Sequence, residues 1–152
     1  MIQFEEFDLE NGLHVILHQD QSTPMVTVNL LYKVGSRNEI PQQTGYAHLL
    51  EHLMFEGSEN IENFDEELEK AGGENNAWTS NDLTNYYITI PAQYLDTALW
   101  LESDRMNALA FRKESFNTQK SVVIEEFKEQ HINPPYGDLW HKLMELCYTT
   151  HP

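Results

Sequence analysis

The chain has 152 residues, a formal net charge of −16 and a single cysteine, Cys147. That length suits one domain with a core that needs no covalent staple, and the lone cysteine excludes an internal disulfide and fits a reducing compartment. The acidity argues against a nucleic-acid partner, which asks for a basic face, and no apolar run approaches the ~18 residues of a membrane span.

Met1-Ile2-Gln3-Phe4-Glu5-Glu6 carries no basic leader and no long apolar stretch. No secretory signal is visible, so the expected compartment is the cytoplasm, or the periplasm if a signal has been removed. Phe7–Leu9 and Leu13–Leu17 flank Asn11-Gly12, a strong short hairpin signal. His14 and His18 alternate along the second strand and are expected on its solvent side. Met25 to Val34 reads as a β-branched, apolar strand with little charge, expected at the centre of a sheet. A polar loop holding Pro41 leads to Thr44.

Thr44 to Gly57 is expected to be helical, with Thr44 as its N-cap and Gly57 as its stop. Leu49, Leu50, Leu53, Met54 and Phe55 make it apolar around most of its circumference, so it is expected to be buried. Asn60 to Ala71 is a short acidic helix with Phe64 and Leu68 inward. Strands are expected over Asn75–Thr79 and Thr84–Ile90, closed by Pro91. Gln93 to Leu109 is an amphipathic helix with Leu95, Leu99, Met106 and Leu109 inward. Ser115–Gln130 and Tyr136–Cys147 are two more helices, separated by Pro134-Pro135. Strands, a helix, strands and then helices make the fold class α+β.

The chemistry concentrates in His48-Leu49-Leu50-Glu51-His52. On a helix, four residues bring two histidines to within about 40° of each other, one turn apart. One zinc ion could take both imidazoles, while Glu51, set about 60° to one side, could reach a water on the metal without ligating it. Catalytic zinc sites commonly have three protein ligands and one open position, so a third must come from elsewhere. Taking Phe116 as 0°, Phe116, Val123 and Phe127 fall on one expected buried face, and Glu126 falls at about 280°, on its edge. Glu125 falls opposite, toward water. Gln119, one heptad before Glu126, shares its stripe and could support a metal ligand. Glu126 is thus a candidate ligand, with an ordinary ion pair or a partly exposed carboxylate as the alternative.

The chain also resembles a known family. His48-Leu-Leu-Glu51-His52 is similar to the inverted His-x-x-Glu-His zinc motif of the pitrilysin–insulinase metallopeptidases, which include the mitochondrial processing peptidases. Asn11-Gly12-Leu13, Gly35-Ser36-Arg37-Asn38-Glu39, Phe55-Glu56-Gly57-Ser58, Asn76-Ala77-Trp78-Thr79 and Asp82-Leu83-Thr84-Asn85-Tyr86-Tyr87 extend the likeness over nearly the whole chain. The resemblance implies a mixed, largely antiparallel sheet with helices on one face. It implies Zn2+ held by His48, His52 and Glu126, which lies 74 positions beyond His52, and Glu51 as the catalytic base. Where the family often has a glutamate at position 119, this chain has Gln119.

The resemblance further implies that Asn76, Ala77, Trp78 and Thr79 form an edge strand onto which a peptide substrate pairs. Family members close around the substrate with a second half, on the same chain or on a partner subunit. Residues 1–152 then read as the front of the zinc-bearing half, cut before its final elements, and nearly inactive alone. Two alternatives stand beside this zinc endopeptidase. One is a half that binds peptide or partner without chemistry. The other is a structural zinc module, which normally has four ligands and is rich in cysteine.

Overall fold

The computed structural model describes residues 2–150; Met1, His151 and Pro152, the ends of the expected 1–152 domain, lie outside the described residues. β1 (Glu5–Asp8) and β2 (His14–Leu17) form the expected antiparallel hairpin. His14 and His18 are exposed, His14 Nδ1 lying 2.8 Å from Asp8 and His18 Nδ1 2.6 Å from the Gln3 carbonyl.

The main sheet has three antiparallel strands, β3 (Met25–Tyr32), β4 (Glu74–Thr79) and β5 (Thr84–Pro91), in the order β3-β5-β4. The expectation that β3 is central is overturned: β5 is the middle strand and β3 lies at an edge. Freedom from charge misled here. Thr27 and Asn29 are uncharged yet tolerate water, and β3 alternates between exposed and half-buried positions, whereas β5 is mostly buried. Asn29 and Asn85 exchange amide hydrogen bonds of 2.9 Å across the polar face of the sheet.

The other face carries the core. Ile88 and Ile90 of β5 pack with Ile61, Phe64, Leu68, Ala98 and Leu101, and Val26 and Val28 of β3 join them. Phe64 and Leu68 come from α2 (Phe64–Lys70), inward as expected and each 1% exposed. The helix starts at Asn63, whose side chain accepts from the Glu66 N–H at 3.1 Å.

α3 (Leu95–Asn107) presents a different face from the one expected. Ala98, Leu101, Glu102 and Arg105 are buried, while Leu99 and Met106 are about half exposed. Hydrophobicity alone placed the charged residues outside. Glu102 and Arg105 instead pair through two hydrogen bonds of 2.6 and 2.8 Å, which leave Arg105 Nη1 buried without a hydrogen-bond partner. The Arg105 guanidinium also lies 4.4 Å from the Phe64 ring, 4.6 Å from Tyr86 and 5.4 Å from Phe55. Burial raises the Glu102 pKa, and Arg105 opposes the rise.

α1 (Tyr46–Leu53) is shorter than expected. Its N-cap is Gly45, not Thr44, with φ of +86°, a conformation that costs glycine little. The side chain that serves its first turn comes from upstream. Glu39 accepts from the N–H groups of Gly45 and Ala47 at 2.8 and 2.7 Å, which suits a carboxylate at a helix N-terminus. Leu53 is buried, but His48, Glu51 and His52 are half-buried and Leu50 is 44% exposed. The helix therefore lies at the surface of the core with one side open.

The loop that delivers Glu39 is itself fixed to the β4–β5 turn. Ser36 and Arg37 donate backbone hydrogen bonds to Ser80 and Asn81 at 3.3 and 2.9 Å, and Arg37 pairs with Asp82 at 3.2 Å. Gly35 permits this approach: a Cβ there would sit 2.4 Å from the Ser80 carbonyl oxygen.

α4 (Lys113–Phe127) runs into a π-helical turn at Lys128–Ile132, and α5 (Leu139–Cys147) follows. The expected buried face of α4 is shifted. Phe116 and Phe127 are 40% and 46% exposed, and the half-buried stripe runs through Ser115, Gln119, Val123 and Glu126. Glu126 thus lies within the packed face rather than at its edge, because that face meets the histidine side of α1. No helix among the described residues is long and apolar enough to cross a membrane.

Candidate metal centre and active site

Helical spacing places His48 and His52 on the side of α1 that faces α4, and α4 returns Glu126 to them. His48 Nε2 and His52 Nε2 are 3.2 Å apart. Glu126 Oε2 lies 3.4 Å from His48 Nε2 and 3.5 Å from His52 Nε2. Bonds of about 2.0–2.1 Å to zinc in tetrahedral geometry put neighbouring ligand atoms roughly 3.3 Å apart. The three observed separations match one face of such a tetrahedron. Two imidazole nitrogens and one carboxylate oxygen are also a donor set that zinc accepts. Among the described residues, His48, His52 and Glu126 form a group that could hold a metal ion.

Two further contacts organise the group. His52 Nδ1 lies 3.1 Å from Gln119 Oε1, so the outward nitrogen of His52 is anchored to α4. Gln119 Nε2 in turn donates to the carboxylate of Glu56. Glu51 stands beside the histidines and accepts a hydrogen bond from the hydroxyl of Thr79 at the end of β4. Thr79 Oγ1 also lies 3.4 Å from Thr84 Oγ1, whose hydroxyl donates to the Val34 carbonyl at 3.0 Å. α1 and the sheet are thereby joined at Glu51.

β4 pairs with β5 on one side, and no strand among the described residues covers its other side. Along it Asn76 and Trp78 are exposed, and Ala77 and Thr79 are half-buried toward the helices. Asn76 Oδ1 accepts from the Ala77 N–H at 2.8 Å. An open cavity of about 690 Å³ adjoins the end of β4, with His48, Thr79, Val123, Phe127, Trp140 and Met144 in its wall.

The structure therefore brings together His48, His52, Glu126, Glu51 and Gln119, with Thr79 in direct contact and Asn76 to Trp78 running away along the strand. Sequence reasoning missed Glu39, Glu56 and the Thr79–Glu51 contact. Glu56 had a signal: the four-residue step from His48 to His52 continues to position 56. Glu39 had none, because its helix-capping role depends on how a loop folds back.

Residues 14–148 match the family model described as insulinase, peptidase family M16. The chain is 37% identical over 151 residues to the zinc protease PqqE of Helicobacter pylori, covering 97% of this chain and 34% of that protein. It is 32% identical over 123 residues to a probable mitochondrial-processing peptidase subunit beta of Arabidopsis thaliana, covering 80% of this chain and 23% of that one. The crystal structure of a protease from Helicobacter pylori superposes with a TM-score of 0.85 at 37% identity, covering 92% of this chain and 34% of the other. Pitrilysin superposes with a TM-score of 0.76 at 25% identity, covering 86% of this chain and 14% of the other. The chain thus spans about a third, or less, of the length of these relatives.

Proposed function

Because the chain belongs to the insulinase family of peptidases, we propose that it forms the zinc-bearing part of an endopeptidase that hydrolyses peptides or small unfolded proteins. The observation that carries this reading is the His48–His52–Glu126 triangle with Glu51 alongside. Bound there, zinc would supply Lewis acidity to a water molecule and to the scissile carbonyl.

The chain's own residues do the rest. Glu51 accepts the proton released as water attacks the carbonyl carbon and returns it to the leaving amine when the C–N bond breaks. Thr79 orients the Glu51 carboxylate by donating its hydroxyl hydrogen. The open edge of β4, at Asn76 to Thr79, pairs with the peptide backbone, giving affinity with little demand on its sequence. The cavity beside Thr79 and His48 receives a substrate side chain. The substrate is enclosed by a second peptidase half, on the same chain or on a partner subunit, so residues 1–152 alone cleave little or nothing. A half that only bound peptide or a partner would have no use for a carboxylate held beside the metal ligands, which favours the catalytic reading.

Replacing Glu51 with Gln in the intact protein tests the assignment. Zinc content should be unchanged, and kcat should fall at least ~10²-fold. Retained cleavage would remove Glu51 from the role of base. Loss of zinc would make Glu51 part of the metal site instead.

A further inference from the structure

Glu56 lies outside the group of ligands and base, yet it touches Gln119, and Gln119 touches His52. We propose that Glu56, acting through Gln119, dictates which ring nitrogen His52 offers to a metal. The inference rests on reading His48, His52 and Glu126 as a metal site, and it makes Glu56 a positioning residue for that site.

The two ends of a glutamine amide are nearly alike in shape but opposite in hydrogen bonding: the nitrogen donates and the oxygen accepts. Packing alone selects weakly between the two orientations. A carboxylate selects strongly, because it only accepts. Glu56 Oε1 therefore draws the Gln119 Nε2 end toward itself. The oxygen end is left facing His52 Nδ1, at 3.1 Å. An amide oxygen can only accept, so Nδ1 carries the hydrogen of the neutral ring, while His48 Nε2, 3.4 Å from Glu126 Oε2, is placed to donate to that carboxylate in its stead. Nε2 is then the bare nitrogen, and it is Nε2 that points at His48 Nε2 and Glu126 Oε2, at 3.2 and 3.5 Å. With the amide reversed, its NH₂ would face Nδ1, the ring hydrogen would move to Nε2, and His52 could not ligate at that position.

The local structure holds Glu56 to this task. It follows His52 by four residues, at the exit of α1. The Arg112 guanidinium donates to the Glu56 backbone carbonyl at 3.0 Å, and the residue is half-buried. Histidines that bind metals commonly donate their second nitrogen to a carboxylate or carbonyl, which fixes tautomer and ring angle. Here the carboxylate sits one amide further out, and the glutamine transmits its preference inward.

The experiment compares the intact protein with E56Q, Q119E and E56Q/Q119E. In metal-free protein labelled with ¹⁵N-histidine, long-range ¹H–¹⁵N correlation reads the His52 tautomer. The parent should show the hydrogen on Nδ1, and E56Q should show a mixture. Chelator competition should give a zinc affinity about 10-fold weaker for E56Q, the low end of what indirect partners of a ligand contribute. Q119E alone sets two carboxylates against each other and should also weaken binding. The double variant rebuilds an amide–carboxylate pair, with the carboxylate on His52, and should recover the parent tautomer and come within a few-fold of its zinc affinity.

An unchanged tautomer and affinity in E56Q would overturn the proposal, as would losses in the double variant equal to the two single losses combined. If the parent binds no zinc, the metal reading fails; the metal-free spectra still decide whether Glu56 sets the tautomer. A loss of fold in E56Q would appear throughout the spectra, and the double variant then carries the decision.

Discussion

At the scale of single residues, Thr79 has two possible parts: one more position on a peptide-binding strand, or the group that orients Glu51. Substitution by valine keeps the β-branched shape and removes the hydroxyl. If the hydroxyl aims the base, Thr79→Val in the intact protein lowers kcat by about 10-fold, the effect of one lost positioning hydrogen bond of ~1.5 kcal/mol. KM stays nearly constant, and Thr79→Ser restores most of the loss. A rise in KM with unchanged kcat would instead confine Thr79 to substrate contact. The two histidines were legible in the sequence from spacing alone, since four residues is one helical turn. For Glu126 the phase of a second helix left an ordinary ion pair open beside metal ligation, and the family resemblance singled it out. Thr79–Glu51 and Glu56–Gln119 were not legible, because each joins elements 28 and 63 residues apart whose relative placement no local pattern encodes.

Among the elements, α3 departs most from what its sequence suggested, and for a reason that can be tested. Its buried Arg105 is held by Glu102 and by the rings of Phe55, Phe64 and Tyr86. Removing one partner of a buried ion pair costs about 3–5 kcal/mol, since the other charge is left unpaired. Arg105→Met should lose stability of that order at neutral pH, measured by denaturant unfolding. The pH dependence follows from Glu102. Burial holds its proton more tightly in the folded chain than in the unfolded one, and the variant lacks the opposing guanidinium. A carboxyl of that kind favours the folded state below its ordinary pKa of 4.5 and loses that advantage as pH rises through its folded value. The deficit of Arg105→Met relative to the parent should therefore shrink as pH falls through that raised folded value toward 4.5, and be smallest below about pH 4.5. β3 teaches a similar lesson. Its composition gave the strand but not its place, since an uncharged polar residue is compatible with both an edge and a centre.

For the molecule as a whole, order and type of the elements were readable because turn signals and periodicities are local: Asn11-Gly12 lies in the turn between β1 and β2 and Pro91 ends β5, although the helix expected from Asn60 starts only at Phe64, after Asn63. Which faces meet was not, because α1, α4 and the sheet are joined by side chains far apart in sequence. The triangle of His48, His52 and Glu126 bridges α1 and α4. A ligand that binds only the folded state stabilises it in proportion to the logarithm of its concentration over its Kd, about 2.7 kcal/mol at a hundredfold excess. Zinc should therefore raise the melting temperature of the intact protein, and a chelator should lower it. Hydrogen exchange should quicken in α4 on chelation while the Ile88 and Ile90 region of β5 stays protected. Equal loosening everywhere would mean that the ion does not join the helices. A clasp of this kind would also couple the protein's turnover to its metal supply. A chain short of zinc would expose α4 to the degradation that clears partly opened proteins, so cellular abundance should follow metal supply. A substitution at Glu51, which spares the clasp, should leave that abundance unchanged.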